Sequence, residues 1–164
     1  MSGRSHPTPV SRPLRAERRR RFAIVASQFH APLVRRLVQG ATATLARAGV
    51  SRARIRVTWV PGAFELSAAA AWAARRRPRP DAIIALGVLL RGETPQYAVL
   101  ANGVACGLSQ VAVTTGVPAT FGVIVAETLA QARARAGGRM GNRGDEAASA
   151  ALALTRLDDH DGTS

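Results

Sequence analysis

The stretch Ala82-Ile83-Ile84-Ala85-Leu86-Gly87-Val88-Leu89-Leu90 is the strongest indication of the fold, because its nine residues include no polar side chain. A run of this length and composition is typical of a strand whose two faces are both covered. Strands of that kind belong to parallel sheets that lie between layers of helices. The sequence therefore predicts an α/β domain with a buried parallel sheet at its centre.

Strands and helices alternate on both sides of this stretch. The other strands are predicted at Phe22 to Ser27, Ile55 to Val60 and Ala119 to Val125. The helices are predicted at Pro32 to Gly49, Phe64 to Arg76, Pro95 to Thr115, Glu127 to Ala136 and Gly144 to Leu157. Thr94 is expected to cap the third helix. Right-handed crossovers between such strands give one parallel sheet with helices on both faces.

The two ends of the chain differ from this alternating region. Residues 1–21 hold seven arginines and one glutamate, which predicts a flexible, Arg-rich arm, and residues 158–164 are predicted to be frayed. The domain is therefore expected at residues 22–157. A basic arm can attract nucleic acid, but no nucleic-acid motif follows it, so any such binding is expected to be non-specific.

The basic residues of this chain are unusual, because all 23 are arginines and none is lysine, and the net charge is +13. The absence of lysine excludes a Schiff base between the protein and a substrate, so any imine must form on a substrate amine. Arginine stays charged and binds phosphate through two parallel donors. The one cysteine, Cys106, excludes an intrachain disulfide and a cysteine metal cluster.

Arg20-Arg21-Phe22 resembles the beginning of a twin-arginine export signal. The apolar run that starts there, Phe22 to Ala26, is too short for the core of a signal peptide. The apolar run Ala82 to Leu90 is too short to span a bilayer. We therefore expect a soluble, cytoplasmic protein that does not contact a membrane.

Three motifs lie where the ligand of an open parallel sheet is expected. Trp59-Val60-Pro61-Gly62-Ala63-Phe64-Glu65 and Gly87-Val88-Leu89-Leu90-Arg91-Gly92-Glu93-Thr94-Pro95 each join the end of a strand to the beginning of a helix, and ligands bind at that edge. The third, Arg135-Ala136-Gly137-Gly138-Arg139-Met140-Gly141-Asn142-Arg143-Gly144, is rich in glycine and arginine and suited to an anion. Together they predict a site for a small phosphorylated molecule.

In this order and spacing, the motifs resemble the 6,7-dimethyl-8-ribityllumazine synthase family, and the resemblance extends over about residues 22–157. It implies a flavodoxin-like three-layer α/β/α sandwich with a four-stranded parallel sheet. It implies the condensation of 5-amino-6-(ribitylamino)uracil with 3,4-dihydroxy-2-butanone 4-phosphate, the penultimate step of riboflavin synthesis, with release of phosphate and water. It also implies that no metal or organic cofactor takes part.

The resemblance further implies that the subunits form pentamers, which in some members assemble into icosahedral shells, with the active site between neighbouring subunits. It implies substrate binding by Phe29, Ala63, Phe64, Glu65, Leu89, Leu90, Gly92, Glu93, Thr94, Phe121, Arg135 and Arg143. Phe29 would stack on the pyrimidine ring, and Glu65 would accept hydrogen bonds from ribityl hydroxyls. A core aromatic and a first-turn acid are the plainer alternatives for these two residues.

The phosphate end of the site is implied by the same resemblance. Gly92, Glu93 and Thr94 would cradle the phosphate, together with free N–H groups at the start of the following helix. Arg135, supplied by an adjacent subunit, would bind the same group. Arg143 stands where the family commonly has lysine, so charge is kept while shape changes.

One position departs from the family pattern. The family carries a histidine at the position of Gln96, where it is taken as the proton carrier and is oriented by an acid that matches Glu146. Glutamine forms hydrogen bonds but does not titrate near neutral pH. Gln96, Glu146 and Arg135 are therefore the expected catalytic positions, while phosphate, water or His30 could carry the proton instead.

Three functions remain compatible with the sequence. The first is a working lumazine synthase, with activity that Gln96 could reduce. The second is a diverged paralogue that joins a related amine and carbonyl compound, and the third is a ligand-binding or shell-forming protein. The intact set of Phe29, Glu65, Thr94 and Arg135 favours substrate binding. The short connection between the last two helices resembles the icosahedral members more than the pentamer-only ones.

Overall fold

A computed structural model describes residues 17–160 of the chain. Its centre is a sheet of four strands in the order β2-β1-β3-β4, and every neighbouring pair is parallel. The strands are β1 (Phe22–Ser27), β2 (Ile55–Val60), β3 (Ala82–Leu90) and β4 (Ala119–Ala126). The predicted four-stranded parallel sheet is confirmed, and β4 is one residue longer than predicted.

Helices cover both faces of the sheet and complete the predicted three-layer sandwich. One core cluster joins the sheet to the first and last of the five main helices, and the other joins it to the second and third. The helices are α1 (Ala31–Arg47), α2 (Leu66–Arg75), α3 (Gln96–Thr115), α4 (Leu129–Arg135) and α5 (Arg143–His160). The flavodoxin-like α/β/α architecture is thereby confirmed.

Strand β3 shows why its sequence is apolar at every position. Ile84 and Leu86 belong to the core cluster on the α1 and α5 side, whereas Ile83 and Ala85 belong to the cluster on the α2 and α3 side. Alternate residues of a strand point to opposite faces, so a strand covered on both sides needs apolar residues throughout. Burying each of the larger side chains contributes about 1.5–3 kcal/mol to folding.

The ends of several elements differ from the sequence prediction. α4 begins at Leu129 rather than at Glu127, because the side chain of Thr128 accepts a hydrogen bond from the N–H of Gln131 at 3.2 Å and caps the helix. Residues 63–65 form a 3₁₀ turn, so α2 begins at Leu66 rather than at the predicted Phe64, and α5 continues to His160. A short antiparallel hairpin of β5 (Ala136–Gly138) and β6 (Gly141–Asn142) has no counterpart in the prediction.

The beginning of the described chain is packed onto the domain. Residues 17–19 form a 3₁₀ turn, and the carboxylate of Glu17, which is 2% exposed, accepts a hydrogen bond from Nε of Arg156 at 2.6 Å. Arg20 is also buried and donates to the carbonyl of Thr155. Residues 17–20 are therefore in contact with α5. The predictions for residues 1–16 and 161–164 lie outside the described residues.

Candidate active site

A cavity of about 370 Å³ opens at the carboxyl edge of the sheet. It is bordered by segments that follow three strands, and by the beginning of α3. We call it the carboxyl-edge cavity; its lining consists of Phe29, His30, Gly62, Ala63, Phe64, Glu65, Val88, Leu89, Leu90, Gly92, Thr94, Gln96, Tyr97 and Leu100. The structure thus brings together most of the residues that the sequence analysis selects, from positions far apart in the chain.

The segment after β1 holds an aromatic ring in an exposed position. Backbone pairing continues past the end of the strands, because the N–H of Gln28 donates to Val60 at 2.8 Å and that of Phe29 donates to Pro61 at 3.2 Å. This pairing fixes the backbone of Phe29, yet its side chain is 66% exposed. The alternative of a core aromatic is therefore wrong for Phe29, and its ring is available to a ligand.

The segment after β2 forms a compact turn that lines the cavity. The N–H of Gly62 donates to Oε2 of Glu65 at 2.8 Å, which ties the acid to the start of the 3₁₀ turn over residues 63–65. Ala63 is buried beneath this turn, whereas Phe64 is exposed. The turn therefore presents a carboxylate and an aromatic ring to the same space.

The segment after β3 joins the sheet to α3 and remains open to solvent. The N–H of Arg91 donates to Ala126 at 2.9 Å, and the guanidinium of Arg91 lies 3.4 Å from the carboxylate of Glu127. Gly92 and Thr94 line the cavity and are exposed. No heavy atom of the described residues would lie within 4 Å of a Cβ added at Gly92. A ligand can therefore approach the backbone closely at this point.

The start of α3 differs from the prediction in one respect. Pro95 is the N-cap rather than the first helical residue, and Thr94 does not cap the helix, so that prediction is wrong. The carbonyl of Pro95 accepts hydrogen bonds from the N–H groups of Ala98 and Val99. The N–H groups of Gln96 and Tyr97 precede these and lie in the first turn, where helical N–H groups have no intrahelical acceptor. They provide the donors that an anion at this position needs.

Five of the selected residues lie away from the cavity. They are Glu93, Phe121, Arg135, Arg143 and Glu146. Glu93 belongs to the loop beside the cavity and is exposed, while Phe121 lies on β4, half-buried against the core on the α3 side. Within one subunit, therefore, the substrate-binding set predicted from the sequence is divided between separate surfaces.

Arg135 lies in a second depression of about 320 Å³, which we call the Arg135 groove. Its lining consists of Val125, Ala126, Gln131, Ala134, Arg135, Arg139 and Met140. Ala126 of the groove is the ladder partner of Leu90 of the cavity, so the two depressions lie at the same edge of the sheet. Both arginines of the groove are exposed, which makes it a cationic surface.

The Gly- and Arg-rich stretch before α5 is largely engaged in internal contacts. Oδ1 of Asn142 accepts from the N–H groups of Gly144 at 2.8 Å and Asp145 at 3.3 Å, and Nδ2 donates to the carbonyl of Arg36 at 3.0 Å. The guanidinium of Arg143 pairs with Glu146 at 2.8 Å. The stretch therefore caps α5 and fastens it to α1, which is a structural role that the prediction of an anion site does not include.

Sequence reasoning missed several residues of the two depressions. Tyr97 and Leu100 line the cavity, and Gln131 lines the Arg135 groove. Arg139 also lines the groove; it lies within the predicted anion motif but has no predicted role of its own. Leu100 lies four residues after Gln96, so helical periodicity identifies both as neighbours on one face of α3. The same spacing relates Gln131 to Arg135 on α4. No comparable pattern could relate the cavity to the groove.

The outer surface of α3 carries no charged side chain and exposes apolar residues beside the polar Asn102, Ser109, Gln110 and Thr114. Val99 and Val113 are 67% and 81% exposed, whereas Val104 and Leu108 pack against the sheet. By length and composition alone, α3 is the one helix of residues 17–160 that could cross a membrane. Val104, Leu108 and Val111 of this helix belong to the core cluster that it shares with the sheet and α2. An exposed apolar surface of this kind is typical of contacts between subunits.

Comparison with known proteins agrees with this architecture. Residues 19–159 match the model of the family described as 6,7-dimethyl-8-ribityllumazine synthase. Proteins of that name from Aquifex aeolicus and Thermus thermophilus are 45% and 42% identical to the chain, and one from Leuconostoc mesenteroides is 39% identical. Each match covers 84% of this chain and 87–88% of the relative. The chain therefore belongs to the 6,7-dimethyl-8-ribityllumazine synthase family.

Proposed function

We propose that the protein is a transferase that condenses 5-amino-6-(ribitylamino)uracil with 3,4-dihydroxy-2-butanone 4-phosphate to give 6,7-dimethyl-8-ribityllumazine. The observation that carries this proposal is the carboxyl-edge cavity, which combines an exposed aromatic ring, a carboxylate and an open, Gly-containing loop at a helix N-terminus. These groups suit a flat heterocycle, a polyol chain and a phosphate, in that order. Family membership supports the same reaction.

The pyrimidine and its side chain are proposed to occupy the part of the cavity nearest to β1 and β2. The ring of Phe29 offers an apolar face for stacking, and Leu89 and Leu90 close the apolar side. Glu65 is held by the N–H of Gly62 and would accept hydrogen bonds from ribityl hydroxyls. Ala63 and Phe64 would contact the same chain.

The phosphate is proposed to bind where β3 meets α3. Gly92 lets the anion approach the backbone, and the N–H groups at the start of α3 would donate to it, with Glu93 and Thr94 beside them. Arg135 would supply a guanidinium from the groove of an adjacent subunit, which places two donors on one phosphate. Phe121 and Arg143 would complete the site from that adjacent subunit.

The chemistry mainly requires that the two substrates be held together. The 5-amino group attacks the ketone, and water leaves to give an imine. Phosphate then leaves and an enol results, after which the ribitylamino nitrogen closes the second ring with loss of a second water. Holding the reactants in this arrangement can supply about 7–11 kcal/mol of the barrier reduction. Donors to the phosphate stabilise the charge that develops as it departs.

The subunits are proposed to form a pentamer, and to assemble further into an icosahedral shell. The uncharged outer surface of α3, with Val99 and Val113 exposed, supports burial against another subunit. The separation of the Arg135 groove from the cavity supports a site completed by a neighbour. Light scattering of the purified protein would measure the assembly, and a monomer at micromolar concentration would contradict it.

Cytoplasmic location and non-specific binding of polyanions are further parts of the proposal. Residues 1–21 carry a net charge of +6 from seven arginines and one glutamate. Repeated on an assembly, such arms would hold polyanions in a manner that weakens with salt. A variant without residues 1–16 would elute from a heparin column at lower salt than the full chain. Identical elution would contradict this part.

The proposed reaction is tested by mixing the purified protein with both substrates and following the absorbance of the lumazine product. Formation of product above the rate without protein supports the proposal, and Gln96→His is expected to increase it. Binding of the pyrimidine without product would instead indicate a ligand-binding or shell-forming protein. A chain that does not bind the pyrimidine would be a diverged paralogue with other substrates.

A further inference from the structure

His30 has a backbone conformation that sets it apart within the described chain. Its φ is 57° and its ψ is 40°, and it is the one residue other than glycine with positive φ among residues 17–160. This left-handed conformation is unfavourable for most side chains; apart from glycine, it is adopted most often by asparagine, aspartate and histidine. Strained residues of this kind cluster at functional sites, where the surrounding structure holds them in place.

The strained backbone places the imidazole in the carboxyl-edge cavity. His30 and Gln96 both line this cavity, although they follow different strands. The imidazole ring meets the ring of Phe29 edge-on, with 4.7 Å between the ring centroids and 73° between the planes. His30 is half-buried, so the residue is partly accessible to solvent.

His30 is the histidine among the residues that line this cavity, and the other ionisable side chains near it are carboxylates, a phenol and a guanidinium. Glu65 lines the cavity and is bonded to Gly62, and Tyr97 lines it at the start of α3. Arg91 and Glu93 belong to the loop beside the cavity, and Arg91 lies against Glu127. Histidine is the side chain that most often serves as a general acid and base in enzymes.

Imine formation requires such a group. The attacking amine must lose two protons in turn, and the ketone oxygen must gain both of them, first to become a hydroxyl and then to leave as water. The amide of Gln96 can orient either partner but cannot accept or release a proton near neutrality. The protein needs a separate proton carrier if it is to accelerate this step by acid–base catalysis.

We propose that His30 carries protons between the amine and the departing hydroxyl. Both protons of the amine end up in the water that leaves. The neutral imidazole accepts the first proton as the carbon–nitrogen bond forms, and the imidazolium passes it to the former ketone oxygen to give a carbinolamine. The imidazole then carries the second proton from the nitrogen to the carbinolamine hydroxyl, which leaves as water while the carbon–nitrogen double bond forms. The imidazole is regenerated, so the step consumes no external acid or base. This inference depends on the proposed function, because it assigns a role within that reaction.

The test compares four proteins with both substrates: the unaltered chain, His30→Asn, Gln96→His and the double variant. Asparagine tolerates the left-handed backbone, so His30→Asn removes the imidazole without imposing new strain. We expect His30→Asn to lower kcat by about 100-fold or more, while pyrimidine affinity and unfolding stay unchanged. The acidic limb of the pH profile of kcat should disappear in the same variant. The double variant should regain activity, because Gln96→His supplies an imidazole to the same cavity.

Chemical rescue separates proton transfer from a structural role. His30→Gly also tolerates the backbone and leaves space for free imidazole. Added imidazole should raise the kcat of His30→Gly but not that of the unaltered chain. An active His30→Asn with an unchanged pH profile would overturn the inference alone, and so would a loss of activity that neither imidazole nor Gln96→His restores. An unaltered chain without activity would overturn the proposed function as well.

Discussion

Two segments of similar composition, residues 91–94 and 141–144, have opposite surroundings. Each contains arginine and glycine, and each is predicted from the sequence to hold an anion. In the first, Gly92 faces open space, whereas a Cβ at Gly144 would overlap the carbonyl oxygen of Leu37. Glycine thus allows a ligand to approach in one segment and allows α5 to pack against α1 in the other. Composition alone does not distinguish these uses, because the distinction lies in what faces the glycine.

The largest expected effect is on folding, and it tests this difference between the two glycines directly. Gly144→Ala should lower the free energy of unfolding by about 3 kcal/mol, because the added methyl group must displace the backbone of α1. Gly92→Ala is the matched control and should leave stability unchanged within error. Urea unfolding measures both. Equal stabilities for the two variants would remove the distinction between an open and a packed glycine.

The next effect concerns Arg135, which would bind the same phosphate as residues 91–94. Arg135→Ala should lower kcat/KM for the phosphate substrate by about 30-fold, because the loss of a hydrogen bond between charged groups typically has an effect of about this size. Arg133 lies two residues earlier on α4, is also exposed and does not line the groove. Arg133→Ala should therefore retain activity. Steady-state kinetics with varied phosphate substrate measures both, and equal losses would indicate a general effect of charge instead of a specific contact.

A smaller effect is expected where the cavity meets the pyrimidine. Phe29→Ala should weaken binding of a pyrimidine analogue by about tenfold, because stacking of a base on an aromatic ring contributes about 1–3 kcal/mol. Trp72 of α2 is a suitable control, since it is 65% exposed, compared with 66% for Phe29, and lies outside the cavity. Calorimetric titration measures the affinities. An undiminished affinity in Phe29→Ala would place the heterocycle elsewhere.

The smallest effect is expected for Glu146, which follows the packed segment 141–144 on α5. The resemblance gives Glu146 the role of orienting a histidine, but Gln96 stands at that position, so Glu146→Gln should change kcat by no more than about threefold. Stability should change by less than about 0.5 kcal/mol, since the pair with Arg143 is half-exposed. The measurement is kcat under saturating substrates, together with urea unfolding. A loss near 100-fold would show that Glu146 reaches the reacting groups in the assembled protein, and that the segment is not purely structural.

The fold could be predicted from the sequence because its determinants are local. The ends of β1, β2 and β3 follow from apolar runs, and Gly116, with φ of 69°, ends α3 where expected. The start of α3 was harder to predict, since Thr94 has the right chemistry for a cap but Pro95 occupies the cap position. Such shifts of one residue depend on the path of the loop, which composition does not encode.

The candidate site could be predicted only in part. Motifs that follow strands converge at one sheet edge by topology, so the lining of the cavity, Phe29 and Glu65 included, was accessible to sequence reasoning. The packing of Gly144 against Leu37 was not, because it depends on a contact between residues far apart in the chain. The left-handed backbone of His30 was also not predictable, since nothing in the local sequence requires it.

Helix α3 belongs to two surfaces at once: Gln96 and Tyr97 help to form the cavity, and Val99 and Val113 lie on the uncharged exterior. If that exterior is covered by neighbouring chains, catalytic output is linked to protein concentration by mass action. Dilution would separate the chains and expose Val99 and Val113 to water. This would destabilise α3, which carries Gln96 and Tyr97 of the cavity. Turnover per chain would then decline in dilute assays, and a rate measured at a single concentration would understate the capacity of the protein in a crowded cell.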